Sequence, residues 1–337
     1  MDTTGILKSL SLKQDLTSDQ TNQFLSEVIN GTVLPSQLGA VLMGLKMKGE
    51  TSNEILGLIH AMKTHMIHVD LVNAIDVCGT GGDGSGTFNV STTVAFVVAG
   101  AGIKVAKHGN RAASSQCGSA DVLEELGVNI NLTSIQAKKV YEKIGMVFLF
   151  APLYHLSLKN VIEVRKQLKI PTVFNVLGPF ANPASVKKQI IGVPQPEIAK
   201  KLSLVAKNLH YDHLLIVSGE DGLDELSISS DSIVYEIKKN SVKSYKVYPS
   251  QFGFKKTHRS EILGNTKKEN AEIIKEILDG RISPKRDIVL LNSAFALYVA
   301  GKVNDVKEGI KLAENSIDTG KAKSVLQKLV KETKKYA

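Results

Sequence analysis

Cysteine is almost absent from this chain of 337 residues. Cys78 and Cys117 are its only two, too few and too isolated for a disulfide framework or a Cys-x-x-Cys metal site, so packed thiols in a reducing compartment are expected. No apolar run reaches the 18 or so residues of a membrane span. The opening MDTTGILKSLSLK lacks the apolar stretch of a secretory signal, which predicts a cytoplasmic protein with no membrane attachment. There is no repeat at a solenoid period and no low-complexity tract. His60, His65 and His68 are no zinc site, because a spacing of i to i+5 does not share a helix face.

What is present is a globular composition, 43% hydrophobic and 22% charged, on a chain long enough for two domains or one large one with an appendage. The net charge of +9 is uneven: the first 70 residues hold five lysines against seven acidic residues, so the surplus lies beyond them. Such a surplus attracts nucleic acid or small acidic substrates alike. Scattered lysines read as a solvated surface, and nucleic acid is not the expected partner.

Residues 14 to 66 carry helical periodicity without strand signals. LTSDQTNQFLSEVING, LPSQLGAVLMGLKMKG and TSNEILGLIHAMKTH each open with a Ser or Thr cap candidate, and the first two end at glycine. From Ala74 short apolar strands alternate with helices: AIDVCG, IKVAK, VNINL and MVFLFA as strands, STTVAFVVAGAG, SADVLEELG and TSIQAKKVYEKIG as helices. That alternation predicts a mainly parallel sheet covered by helices. A long helix, HLSLKNVIEVRKQL, and PTVFNVLGPFANP interrupt it, after which QIIGV and HLLIVSG resume the strands. DSIVYEI and SVKSYKVY read as an antiparallel pair, helices close the chain from about Lys267, and KSVLQKLVKETKKYA is amphipathic.

Between AIDVCG and STTVAFVVAGAG lies a loop in which Gly79, Gly81, Gly82, Gly84 and Gly86 crowd together. Gly79, Gly81 and Gly84 satisfy the dinucleotide fingerprint, but Lys107 and His108 stand where a ribose-binding acid is required. Gly81 and Gly86 have the spacing of an ATP loop, but Thr87 and Phe88 follow instead of Lys and Ser or Thr. A phosphate loop of a third kind remains: close backbone approach, with Asn89, Ser91 and Thr92 opening a helix whose amides favour an anion and Lys107 within reach from the next strand. The alternative is a tight turn against the helix and nothing more.

GTGGD at 79–83, FNVST at 88–92, KHGNR at 107–111 and SSQCGSADVLEELG at 114–127 resemble the anthranilate phosphoribosyltransferase family, and the resemblance continues through QLGAVLMGLKMKGET, FAPLYHLSLKNVIEVRKQL, FNVLGPFANP and GEDGLDELS. It implies the fold of the class II nucleoside phosphorylase group. In this α/β fold a small helical domain, residues 1–72 with an inserted segment at about 152–183, joins a larger α/β domain, residues 73–151 and 184–337. That domain has a mainly parallel central sheet and binds 5-phosphoribosyl 1-diphosphate. The resemblance also implies a homodimer through the helical domain, and transfer of the phosphoribosyl group to anthranilate, with release of diphosphate, in tryptophan synthesis. For the sugar diphosphate it implies Gly79, Gly82, Asp83 and Thr87; Asn89, Val90, Ser91 and Thr92; Lys107, His108, Gly109, Asn110, Arg111, Ala112, Ala113, Ser114 and Ser115; and Ser119. For anthranilate it implies Gly79, Asn110 and Arg165. Pro171, Ser218 and HLSLK at 155–159 depart from the family pattern, which bears on the anthranilate pocket rather than on the reaction class.

The chemistry accounts for these residue types. Breaking the ribosyl C1–oxygen bond builds negative charge on the leaving diphosphate, so electrostatic stabilisation there is the largest catalytic demand. GLDEL supplies Asp224 and Glu225 after the strand HLLIVSG, and hard oxygens completed by substrate phosphates suit Mg²⁺. The resemblance implies these two as metal ligands, with Ser91. No general base is assigned. The aniline nitrogen is a neutral nucleophile near neutral pH, and His108 reads equally as a base or as a histidine held in its loop. Two competing readings are a pyrimidine nucleoside phosphorylase on the same fold, opposed by KHGNR, and a non-enzymatic nucleic-acid binder, opposed by the joint presence of the glycine loop, Ser91, Asp224, Glu225 and Arg165.

Overall fold

The computed structural model describes residues 2–82, 84–112 and 116–337. Four helices come first: α1 (Thr3–Ser11), α2 (Ser18–Ile29), α3 (Pro35–Lys48) and α4 (Ser52–His65). The alternating stretch follows as β1 (Ile75–Gly79), α5 (Val90–Gly100), β2 (Val105–Gly109), α6 (Ser119–Glu125), α7 (Ser134–Ile144) and β3 (Met146–Phe150). Next come α8 (Ala151–Tyr154), α9 (Lys159–Leu168) and α10 (Phe174–Leu177). The chain then adds β4 (Lys188–Gly192), α11 (Pro196–Ala206), β5 (His213–Gly219), β6 (Ser232–Lys238) and β7 (Ser241–Val247). It closes with α12 (Lys267–Leu278), α13 (Pro284–Ala300), α14 (Val306–Asp318) and α15 (Lys321–Thr333). These elements make two compact units, Met1–His68 with Tyr154–Pro183, and Val69–Leu153 with Ala184–Ala337.

The helical unit starts its helices largely as the caps predict. Thr17 with Gln20, and Thr51 with Glu54, form capping boxes on α2 and α4. On α3 the expected Ser or Thr cap is absent. Leu34 takes the cap position and Pro35 the first turn, where a proline's missing N–H is no loss. The helix α1, capped by Asp2 on the Gly5 N–H, has no counterpart in the sequence reading. Glu54 is fully buried and accepts from the Leu16 and Thr51 N–H groups and the Lys48 ammonium, so its charge is paired and bonded. Gly57 lets α2 and α4 close up, because a Cβ there would overlap the Ser18 carbonyl and the Thr21 hydroxyl.

The α/β unit holds one seven-stranded sheet in the order β3-β2-β1-β4-β5-β6-β7. Strands β1 to β5 pair in parallel, and β6 and β7 add an antiparallel edge hairpin, as the alternation of elements predicts. Their apolar runs are buried on both faces, β3 and β5 without a gap. Two expectations fail locally. VNINL is not a strand: Val128, Ile130 and Leu132 alternate inward, but Asn129 bonds to Thr333 of α15 rather than to a neighbouring strand. HLSLKNVIEVRKQL is not one helix, because Leu156–Leu158 form a 3₁₀ turn ahead of α9.

Candidate active site

The strand order reverses between β1 and β4, which are parallel neighbours with Gly79 beside Gly192 at their carboxyl ends. Ligands of open parallel sheets lodge in the crevice outside such a reversal. Two loops meet there. The glycine loop runs from β1 to α5, and the loop carrying GLDEL follows β5.

Gly81, Gly82, Gly84 and Gly86 all adopt left-handed backbone, with φ of 65°, 75°, 61° and 67°. Only glycine populates that region freely, so the run of glycines is a conformational requirement of the loop. Gly79 is a glycine for another reason, since a Cβ there would overlap the Asp224 carboxylate. At Gly192 it would overlap the Asp224 main-chain carbonyl. The two strand ends thus carry no side chain so that Asp224 can rest on them. The Asp224 carboxylate then accepts the Gly81 N–H at 2.9 Å, joining the two loops.

The helix α5 begins at this junction with no capping side chain on its first turn. The Asn89 N–H donates to Asn270 and the Val90 N–H to the Phe88 carbonyl, and a helix start of this kind favours an anion through its dipole. Thr87 accepts or donates a hydroxyl bond with Ser85 at 2.9 Å. Lys107 is 1% exposed and donates to the Val77 carbonyl at 2.7 Å and to Ser91 Oγ at 3.2 Å. Its charge therefore stands behind the start of α5 and meets the loop through Ser91.

Beyond β2, His108 is buried and its main-chain N–H donates to Asp76. Gly109 packs where a Cβ would overlap Ser119 Oγ, and Ser119 Oγ donates to the Asn110 carbonyl. Asn110 Oδ1 accepts the Arg111 N–H. Asp121 gathers the rest: it accepts the Ala112 and Gly118 N–H groups and the Arg111 guanidinium. Burial works to raise the Asp121 carboxyl, but these donors outweigh it and hold it below its ordinary value. Arg111 also forms a forked pair with Glu124 and lies over the Phe150 ring, so its charge is met by carboxylates within the protein. Asp83, Ala113, Ser114 and Ser115 lie outside the described residues.

Asp224 and Glu225 are half-buried between Leu223 and Leu226, both fully buried. The buried leucines anchor the loop on either side of the two acidic residues. Among the described residues no group of three or more His, Cys, Asp or Glu could hold a metal ion. Two adjacent carboxylates are a partial shell of hard oxygens, and they fit Mg²⁺ that takes its remaining ligands from a phosphate and water. Ser91 Oγ, which accepts from the Lys107 ammonium, is a neutral oxygen in the first turn of α5. Neither cysteine is poised to react: burial pushes the Cys78 thiol well up, and it pushes Cys117 to about 11.

Arg165 belongs to the helical unit, where it is half-buried. Its guanidinium donates to Asn175 Oδ1 at 3.1 Å and stacks 5.8 Å from the Phe174 ring centroid, and burial depresses its pKa. Phe174 and Asn175 open the FNVLGPFANP stretch, so that motif sets the arginine's direction. Sequence reasoning missed this pairing, and it missed Asn270, whose side chain accepts the Asn89 N–H across 181 residues of chain. A contact of that range leaves no local pattern to read.

The comparisons agree with this geometry. Residues 71–323 match the glycosyl transferase family a/b domain, and residues 4–66 match the helical bundle domain of the same family. The chain is 48% identical over 316 residues to the anthranilate phosphoribosyltransferase of Clostridium beijerinckii, covering 93% of each. It superimposes on the crystal structure of the Thermus thermophilus anthranilate phosphoribosyltransferase with a TM-score of 0.91, at 34% identity over 98% of this chain and 99% of that one. The Saccharomyces cerevisiae enzyme in complex with PRPP and Mg gives 0.90 at 31% identity, over 99% of this chain and 98% of that one. On matches of this extent, over both units, the chain belongs to the anthranilate phosphoribosyltransferase family.

Proposed function

We propose that the chain carries out the reaction of its family with the diphosphate of 5-phosphoribosyl 1-diphosphate held at the carboxyl ends of β1 and β4. The phosphoribosyl group passes to the amine of anthranilate, giving N-(5-phosphoribosyl)anthranilate and diphosphate, a step of tryptophan synthesis. The observation that supports this reading is the bond from the Gly81 N–H to the Asp224 carboxylate, which joins the glycine loop to the loop carrying two acidic residues at the strand-order reversal.

Each group then has work that suits its chemistry. The glycine loop and the open first turn of α5 take phosphate oxygens through main-chain N–H groups. Lys107 adds a fixed positive charge behind that turn, which favours charge building on the leaving group without reorganisation. Asp224 and Glu225, with Ser91, would hold Mg²⁺, which supplies positive charge against the departing diphosphate. Arg165 takes the carboxylate of anthranilate, where a planar fork matches both oxygens. With both substrates aligned, the neutral aniline nitrogen attacks C1 as the C1–oxygen bond to diphosphate breaks, and the proton then lost from nitrogen passes to an acceptor to which no residue is assigned. A homodimer through the helical unit is part of the proposal. It is supported by Leu12, Leu34, Met43 and Met47, large apolar side chains of that unit left exposed.

The test is direct. Anthranilate fluorescence should decay when purified protein, phosphoribosyl diphosphate and Mg²⁺ are all present, and should hold steady when any one is omitted. Replacing both Asp224 and Glu225 with alanine should abolish that decay while the circular dichroism spectrum is kept. Normal turnover of the double variant at limiting Mg²⁺ would remove the metal assignment.

A further inference from the structure

Two buried asparagines of the closing helices are bonded to the two loops that meet beyond β1 and β4. Asn270, on α12, is 1% exposed, and Asn292, on α13, is 3% exposed. The Asn270 carboxamide oxygen accepts the Asn89 N–H at 3.2 Å, while its Nδ2 donates to the Thr266 carbonyl at 2.8 Å and the Asn265 carbonyl at 3.4 Å. Asn89 is the residue on which α5 begins. The adjacent chain is shaped for this bond. Gly264 has no room for a Cβ against Asn270 Oδ1 and Phe88, and its N–H donates to the Gly86 carbonyl at 2.9 Å.

Asn292 grips the other loop in the same way. Its Oδ1 accepts the Leu226 N–H at 3.0 Å, and its Nδ2 donates to the Leu226 carbonyl at 2.9 Å and the Ile288 carbonyl at 2.8 Å. A carboxamide that meets both the N–H and the C=O of one residue fixes the two peptide groups that flank it. Leu226 directly follows Glu225, so its peptide orientation sets where the Glu225 side chain starts. Asparagine suits both places because its carboxamide carries an acceptor and two donors on separate, rigidly spaced atoms without charge. The Asn292 bonds are buried and those of Asn270 partly so, and leaving them unmade would strand main-chain groups with little access to water.

We propose that Asn270 and Asn292 are positioning residues, Asn270 for the anion-binding start of α5 and Asn292 for the metal-binding pair Asp224 and Glu225. The assignment rests on the reading of those groups given above. It predicts a split that general support of the fold does not produce, with one asparagine acting on anion affinity and the other on metal dependence.

The experiment measures both by calorimetry on the full chain. Asn292→Ser should raise the Mg²⁺ concentration needed for half-maximal phosphoribosyl diphosphate binding by roughly tenfold, with anthranilate affinity within about twofold of wild type. Asn270→Ser should weaken binding of inorganic diphosphate without metal by roughly tenfold, and leave the Mg²⁺ dependence where it was. Asp224→Ala separates the two levels of inference. Wild-type Mg²⁺ dependence in Asp224→Ala removes the metal reading itself, whereas its loss there with none in Asn292→Ser overturns only the positioning role. Equal loss for both substrates in either folded serine variant also overturns the proposal. Should the serine variants not fold, hydrogen exchange of the wild-type protein decides: the Leu226 and Asn89 amides should be protected before any ligand is added, and exchange at exposed-loop rates overturns the assignment.

Discussion

Arg165 shows how one side chain is prepared for a carboxylate. Phe174 and Asn175 hold the guanidinium on one side, and partial burial disfavours its charge until an anion arrives. Arg165→Ala should therefore cost about 1.5 to 3 kcal/mol of anthranilate recognition, about one to two orders of magnitude in KM, with little change for phosphoribosyl diphosphate. Arg165→Lys should fall between, because a point charge keeps the attraction and loses the fork. Steady-state kinetics with each substrate varied in turn decide the matter, and unchanged KM and kcat for Arg165→Ala would refute the role. His155 makes a second prediction at this scale. Burial lowers its pKa from 6.5 to about 4, against a bond to the Ala181 carbonyl that works to raise it. The folded protein keeps this ring neutral while the unfolded chain takes up a proton below pH 6.5, so stability falls between pH 6.5 and 4 and levels off beneath. The loss reaches about 3 kcal/mol if the shift is fully expressed. Urea unfolding at several pH values should show a flatter acid limb for His155→Gln, and an identical limb would exclude His155 as a source of the slope.

Elements bring in constraints that no single residue has. The turn from β1 to α5 carries glycines with two different duties, and they should fail differently. Gly82 has φ of 75° and open space around the position of a Cβ, so Gly82→Val is opposed by the backbone and not by a collision. Relaxing out of the left-handed region would carry the Gly82 N–H away from the phosphate and disturb the bond from the Gly81 N–H to Asp224, and sugar-diphosphate affinity should drop far more than anthranilate affinity. Gly79→Ala has no backbone obstacle, since Gly79 ends a strand, but its methyl group would displace the Asp224 carboxylate. Its expected signature is a raised Mg²⁺ requirement. Calorimetry with and without Mg²⁺ separates the two, and identical behaviour of the variants would contradict this division of labour.

For the whole molecule, charge and apolar surface set the expectations. The net charge of +9 favours the approach of a polyanionic substrate, so kcat/KM for phosphoribosyl diphosphate should decline with ionic strength while that for anthranilate, with one negative charge, declines less. Equal salt dependence for both substrates would argue that the surplus is plain surface charge. Met43 and Met47 lie one turn apart on α3 and are exposed. If that face is covered in a homodimer, Met47→Glu should shift sedimentation toward the monomer, with the monomeric unit keeping its circular dichroism spectrum. A variant that sediments as wild type would place any dimer contact elsewhere.

Much of this was legible in order along the chain. The capping boxes at Thr17 and Thr51, the glycines after α2 and α3 and the alternation of apolar strands with helices are local, because caps and periodicities depend on neighbours a few residues away. The sequence by itself determined the helical start, the parallel sheet with its edge hairpin, the glycine loop and, by resemblance, the family. Only the tertiary structure decided why VNINL pairs with α15 and not with a strand, why Gly79 and Gly192 lack side chains, where the Lys107 ammonium turns, and which asparagines hold the site loops. Each of these depends on a contact between segments far apart in the chain, where hydrogen-bond partners and excluded volume are set by the packed fold and leave no periodic trace in either segment.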